Sequence, residues 1–66
     1  MLKYCVNNNA QYNGDHEVHI YSCQYLPESR TYLGEHASCR SAVTASKAYF
    51  RQTNGCYYCC NACHTQ

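Results

Sequence analysis

The chain has 66 residues, a net charge of +1 from five Lys/Arg against four Asp/Glu, and seven cysteines. That length supports one small domain, and a near-neutral charge without a clustered basic run gives no support for a nucleic-acid partner, whose phosphates call for a basic patch. Aliphatic side chains are scarce, with three Leu, three Val, one Ile and one Met against eight Tyr, so a metal, disulfides or a partner subunit is expected to hold the domain together.

Residues 2–6 alternate apolar and polar and predict a first strand, with Leu2, Tyr4 and Val6 on one face and Lys3 and Cys5 on the other. Residues 7–15 contain three consecutive Asn and then Asn13-Gly14-Asp15, which predicts a hairpin loop because Asn-Gly tolerates the positive φ of tight turns. A second strand is expected over 16–21, with Val18 and Ile20 on one face and Glu17, His19 and Tyr21 on the other. Residues 22–30 hold the single proline, Pro27, and read as a connection to a short third strand over 31–34.

Ser38 is a candidate N-cap for a helix from Cys39 to Phe50 or Arg51, whose apolar stripe is Cys39, Ala42, Val43, Ser46, Tyr49 and Phe50. Thr53-Asn54-Gly55 ends it. Cys56, Cys59, Cys60 and Cys63 follow at i, i+3, i+4 and i+7, the spacing of one side of a short second helix. The expected fold is a single cysteine-rich α+β domain over 1–66, a small three-stranded antiparallel sheet followed by two C-terminal helices, stapled by a metal.

The chemistry concentrates in the segment from Cys56 to His64, which holds four cysteines and a histidine. Cys56 and Cys59 form a CxxC pair just after Gly55, and His19 and Cys23 form an H-x3-C pair far upstream. Together they make a Cys3His set of the kind that binds zinc structurally. Four residues of straight strand span roughly 13 Å, so the chain must turn sharply between Ile20 and Cys23 for His19 and Cys23 to share one ion. The candidate ligands are His19, Cys23, Cys56 and Cys59; Cys60, Cys63 and His64 are alternatives to Cys59. Cys39 is expected as a buried structural thiol, Cys5 as a strand residue, and His16 and His36 as surface or turn residues.

The pattern H-x3-C, then Leu26-Pro27, a short strand, an Ala-containing helix and a Gly-preceded CxxC resembles the zinc-binding N-terminal domain of the Ada DNA-repair proteins over about residues 16–63. The resemblance implies a small α+β metal-binding fold with His19, Cys23, Cys56 and Cys59 as zinc ligands. In that family the first cysteine of a C-x3-C accepts a methyl group from DNA phosphotriesters. His19 stands at that position here, and a neutral imidazole does not replace a zinc-bound thiolate as nucleophile, so no enzyme activity is expected.

The function expected is a small zinc-stabilised binding or adaptor module, with a protein partner or a second copy of the chain as its target and Tyr57-Tyr58 as a contact patch. The alternatives are a thiol-redox or oxidation-sensing protein using the CxxCCxxC cluster, and a disulfide-stapled structural protein. No stretch has signal-peptide or membrane-spanning length, which points to the cytoplasm and to reduced thiols.

Overall fold

A computed structural model describes residues 1–65. Its elements are β1 (Leu2–Asn7), β2 (His16–Ile20), β3 (Arg30–His36), helix α1 (Cys39–Ser46), β4 (Thr53–Gly55) and a single 3-10 turn at Asn61–Cys63. One sheet runs in the order β3-β1-β2-β4. β1 is antiparallel to both of its neighbours, and β4 lies parallel to β2.

The first three strands form where alternation and turn chemistry place them. Gly14 takes a φ of +99° in the β1–β2 loop, which glycine adopts without the clash a Cβ brings. Across β1 and β2, Val6 pairs with Val18 and Cys5 with His19. Between β1 and β3 the register slips: Tyr4 opposes Gly34 and Cys5 opposes Tyr32, leaving Leu33 as the extra residue of a bulge. Gly34, with a φ of +93°, supplies the backbone this bulge requires. Tyr4, Cys5 and Val6 are all buried, so both faces of the sheet are covered at the middle of β1.

The expected three-stranded antiparallel sheet with two following helices is not what forms: the sheet has four strands and is mixed, and α1 is the one α-helix among the described residues. Thr53-Asn54-Gly55 reads as a helix breaker, yet it forms an edge strand in register with His16, Glu17 and Val18. Its glycine is there for close approach. A Cβ on Gly55 would lie 2.7 Å from the carbonyl oxygen of Cys60 and 3.0 Å from Cys63. Asn54 is buried and fully used, its amide donating to Asp15 Oδ2 (3.2 Å) and to the Thr65 carbonyl (3.1 Å), its Oδ1 accepting from the Thr65 N–H (3.0 Å).

No second helix follows because the cysteines at helical spacing are pulled in different directions. The Cys60 N–H donates to the Cys56 carbonyl (2.9 Å), which makes one turn, and Asn61 Nδ2 then donates to the Tyr57 carbonyl (3.0 Å). Side-chain capping of this sort competes with helix propagation. Cys63 crosses to α1, while Cys56 and Cys59 turn towards β2. α1 is also shorter than its apolar stripe. After Ser46 the chain continues through i→i−3 bonds from Lys47, Ala48 and Tyr49, and Phe50 leaves the stripe to stack on His16 at 3.7 Å between ring centroids. Ser38 has the extended backbone of an N-cap, but its side chain makes no capping hydrogen bond.

The fully buried core consists of Tyr4, Val6, Val18, Ala42, Cys56 and Cys60, with Ile20, Leu33, Val43 and Phe50 packed around it. Such a core buries few methylenes, each worth about 0.8 kcal/mol, and leaves the domain dependent on links of other kinds.

Two predictions follow from the junction of β2 and β4. Gly55→Ala forces a methyl group against the Cys60 carbonyl and should lower stability by about 1–3 kcal/mol in denaturant titration. Asp15 accepts from Gln52 (2.7 Å), Asn54 (3.2 Å) and Asn13 (3.4 Å), and the Gln52 bond above all holds its carboxyl below the ordinary value. The stability it contributes is therefore present above the unfolded value of about 4 and is lost as pH falls through the lower folded value. Asp15→Asn should cost about 1–3 kcal/mol near neutral pH, and its difference from wild type should shrink below pH ~4.

Candidate metal centre

The centre is assembled at the edge of the sheet, where β4 ends beside β2. The Cys56 N–H donates to the Val18 carbonyl (2.9 Å), continuing the β2–β4 ladder by one bond, and the chain then turns through 57–59. That turn returns Cys59 to β2, where its Sγ accepts the Ile20 N–H at 3.4 Å. On the other side, the Cys23 N–H donates to the Ile20 carbonyl (3.1 Å). This is the sharp turn that the H-x3-C spacing demands, and it brings Cys23 back towards His19.

The four residues singled out by spacing thus meet. One ligand atom from each of His19, Cys23, Cys56 and Cys59 lies within 4.8 Å of the other three, an arrangement able to hold a metal ion. Cys23 Sγ and Cys56 Sγ are 4.0 Å apart, and Cys59 Sγ is 3.8 Å from His19 Nδ1. Tetrahedral zinc with ordinary bond lengths separates two sulfurs by about 3.8 Å and a sulfur from a nitrogen by about 3.6 Å. Both separations lie within about 0.2 Å of those values.

Backbone N–H groups point at two of the sulfurs. Besides the Ile20 N–H on Cys59, the Tyr25 N–H points at Cys23 Sγ (3.4 Å). His19 is 2 % exposed, and with Nδ1 towards the sulfurs its Nε2 lies 3.9 Å from Glu17 Oε1. At that separation the carboxylate lies near the ring without a hydrogen bond to it. Glu17 and His19 are two apart on one strand, so their shared face was legible as spacing.

Burial sets the protonation of the group. It pushes the Cys59 thiol far up, with the neighbouring Cys23 and Cys60 adding to the shift, and it raises Cys60. It lowers the His19 imidazole, keeping that ring neutral and available as a donor. Closely packed thiols ionise together only when a cation offsets their charge.

The remaining candidates go elsewhere. Cys63 is bonded to Cys39 in a disulfide that ties the start of α1 to the 3-10 turn, which corrects the expectation of a free Cys39 thiol. No spacing in the sequence singles out that pair. His64 Nδ1 lies 2.8 Å from the Gly55 carbonyl and packs edge-on to Tyr57. His36 bonds Ser41 Oγ (2.8 Å) and the Leu33 carbonyl (2.9 Å), and His16 bonds the Asn7 carbonyl (2.9 Å). Cys5 is completely buried, and burial raises its thiol to about 11. Among the described residues no helix is long and apolar enough to cross a membrane.

No protein-family model matches the chain, and neither curated proteins nor solved structures yield a match.

The division of cysteines has a direct chemical readout. Alkylation in denaturant with a chelator and without reductant should label five thiols, since Cys5, Cys23, Cys56, Cys59 and Cys60 are free. Mass spectrometry would show five adducts; seven would mean that the Cys39–Cys63 bridge does not form.

Proposed function

We propose that the chain is a zinc-stabilised binding module in which His19, Cys23, Cys56 and Cys59 hold one structural Zn(II). The observation that carries this is the convergence of three sulfurs and one imidazole nitrogen within 4.8 Å, supplied by two turns more than thirty residues apart in the chain. A closed Cys3His set suits a structural zinc, which is four-coordinate and keeps no position open for substrate. Thiolate and imidazole donors favour zinc over calcium or magnesium, which take oxygen ligands. The Cys39–Cys63 disulfide shares the stapling of the domain with the metal.

The ligand spacing resembles that of the Ada metal-binding domain, with His19 in place of its first cysteine. Methyl transfer is left out, because His19 stands where the accepting thiolate would be needed, and no catalytic role is assigned.

The two metal-holding turns carry the binding surface. Tyr25 lies two residues after Cys23, and Tyr57 and Tyr58 lie between Cys56 and Cys59; all three are more than half exposed. Their rings touch in series, Tyr25 to Tyr58 at 4.7 Å and Tyr58 to Tyr57 at 5.1 Å. Exposed tyrosines are frequent anchors of protein interfaces. Held in place by the metal, they form the contact patch for a protein partner or a second copy of the chain.

Structural zinc contributes about 10–16 kcal/mol of apparent binding energy in small finger-like peptides, comparable to or larger than the whole net stability of a small domain. Native mass spectrometry should therefore show one zinc per chain, and EDTA should abolish the cooperative melting transition. A metal-free chain with an unchanged melting temperature in EDTA would refute the proposal.

A further inference from the structure

Cys60 is the sulfur that the proposed zinc site does not use. It is 3 % exposed, and its Sγ lies 3.9 Å from Cys59 Sγ. That separation is comparable to the 4.0 Å between Cys23 and Cys56. Yet Cys60 is not one of the four residues whose ligand atoms all lie within 4.8 Å of one another. It therefore borders the site through Cys59 without belonging to the tight tetrahedral set.

Consecutive side chains in an extended segment diverge to opposite faces. Here the turn prevents this: the Cys60 N–H is bonded to the Cys56 carbonyl (2.9 Å), and Cys60 has φ −130° and ψ 44°. Its carbonyl is held down by the close approach of Gly55. Packing with Tyr4 and Val6 in the core accounts for the burial of Cys60, but an apolar side chain would serve that purpose equally. Packing gives no reason for a second sulfur to face Cys59.

We infer that Cys60 gives the centre a second, all-sulfur mode, in which Cys23, Cys56, Cys59 and Cys60 hold a soft divalent cation such as Cd(II) in place of the Cys3His set. The inference rests on the zinc reading above and extends the same site. Softer ions favour thiolate over imidazole, and a change of the Cys60 χ1 rotamer, together with the longer bonds of a larger ion, would bring its sulfur to the site. When Cd(II) replaces Zn(II), the three Zn–S bonds and the Zn–N bond to His19 break and Zn(II) leaves to solvent, while four Cd–S bonds form and the Cys60 S–H bond breaks. The proton passes to solvent, so no oxidant or reductant is required. The module thereby takes two classes of ion: zinc through three sulfurs and a nitrogen, and thiophilic ions through four sulfurs.

The test compares the full chain, with its Cys39–Cys63 bridge formed, to Cys60→Ala and Cys60→Ser. Zn(II) and Cd(II) affinities are measured by chelator competition, and cadmium–thiolate charge-transfer absorbance reports the number of sulfurs on the ion. Wild type should show four thiolates per cadmium and each variant three. Cadmium affinity should fall at least about tenfold in the variants, while zinc affinity changes by less than about threefold. His19→Ala should still bind cadmium through four thiolates. Equal cadmium absorbance and affinity with and without Cys60 would overturn this inference and leave the zinc reading standing. Equal loss of both ions in both variants would also overturn it, since Cys60 would then be needed for the fold or the primary site. A wild-type chain that binds neither ion would overturn both readings.

Discussion

The constraint on which this structure depends is the attachment of the Cys56–Cys59 turn to the open edge of β2. The Cys56 N–H takes the Val18 carbonyl, and Cys59 Sγ takes the Ile20 N–H, so a turn of chain satisfies the strand edge beyond the end of β4. An unpaired strand edge is a liability for a small protein. Here it is closed by a segment that also delivers two sulfurs. With few fully buried aliphatic side chains in the core, the link across this edge supplies what hydrophobic burial does not. A cation bound there would join residues 19–23 to residues 56–59.

The cysteines divide by role once the chain is folded. Cys39 and Cys63 anchor the helix to the C-terminal turn, Cys23, Cys56 and Cys59 surround the candidate ion with His19, and Cys5 and Cys60 lie buried beside them. An odd count that looks awkward for disulfide pairing suits one bridge beside a cluster able to hold a metal. Gly55 and Asn54 are the residues that make this division feasible. Gly55 lets the Cys60 carbonyl close over the strand, and Asn54 fastens β4 to both the β1–β2 loop and the C-terminal segment.

Three strands and the start of α1 were legible in the sequence, because alternation, Asn13-Gly14 and the stripe after Ser38 are local signals. Grouping His19, Cys23, Cys56 and Cys59 was legible too, since each pair has ligand spacing within a single turn. The fourth strand was not. Thr53-Asn54-Gly55 has the composition of a break, and only the tertiary partners Asp15, Thr65 and the edge of β2 make it a strand. Helical spacing over Cys56, Cys59, Cys60 and Cys63 was misleading for a related reason. Those four sulfurs go to a candidate metal site, a core and a disulfide that lie in different directions, and a helix would have aligned them on one side. The Cys39–Cys63 pairing depends on where the last turn docks, which no short-range pattern encodes.

X-ray absorption at the zinc K-edge of the purified, zinc-loaded chain tests the central claim most directly, because it reads the ligand set without disturbing the fold. Three sulfur scatterers near ~2.3 Å and one imidazole nitrogen near ~2.0 Å are predicted. A shell of oxygen and nitrogen alone would contradict the account, since zinc would then be bound away from Cys23, Cys56 and Cys59.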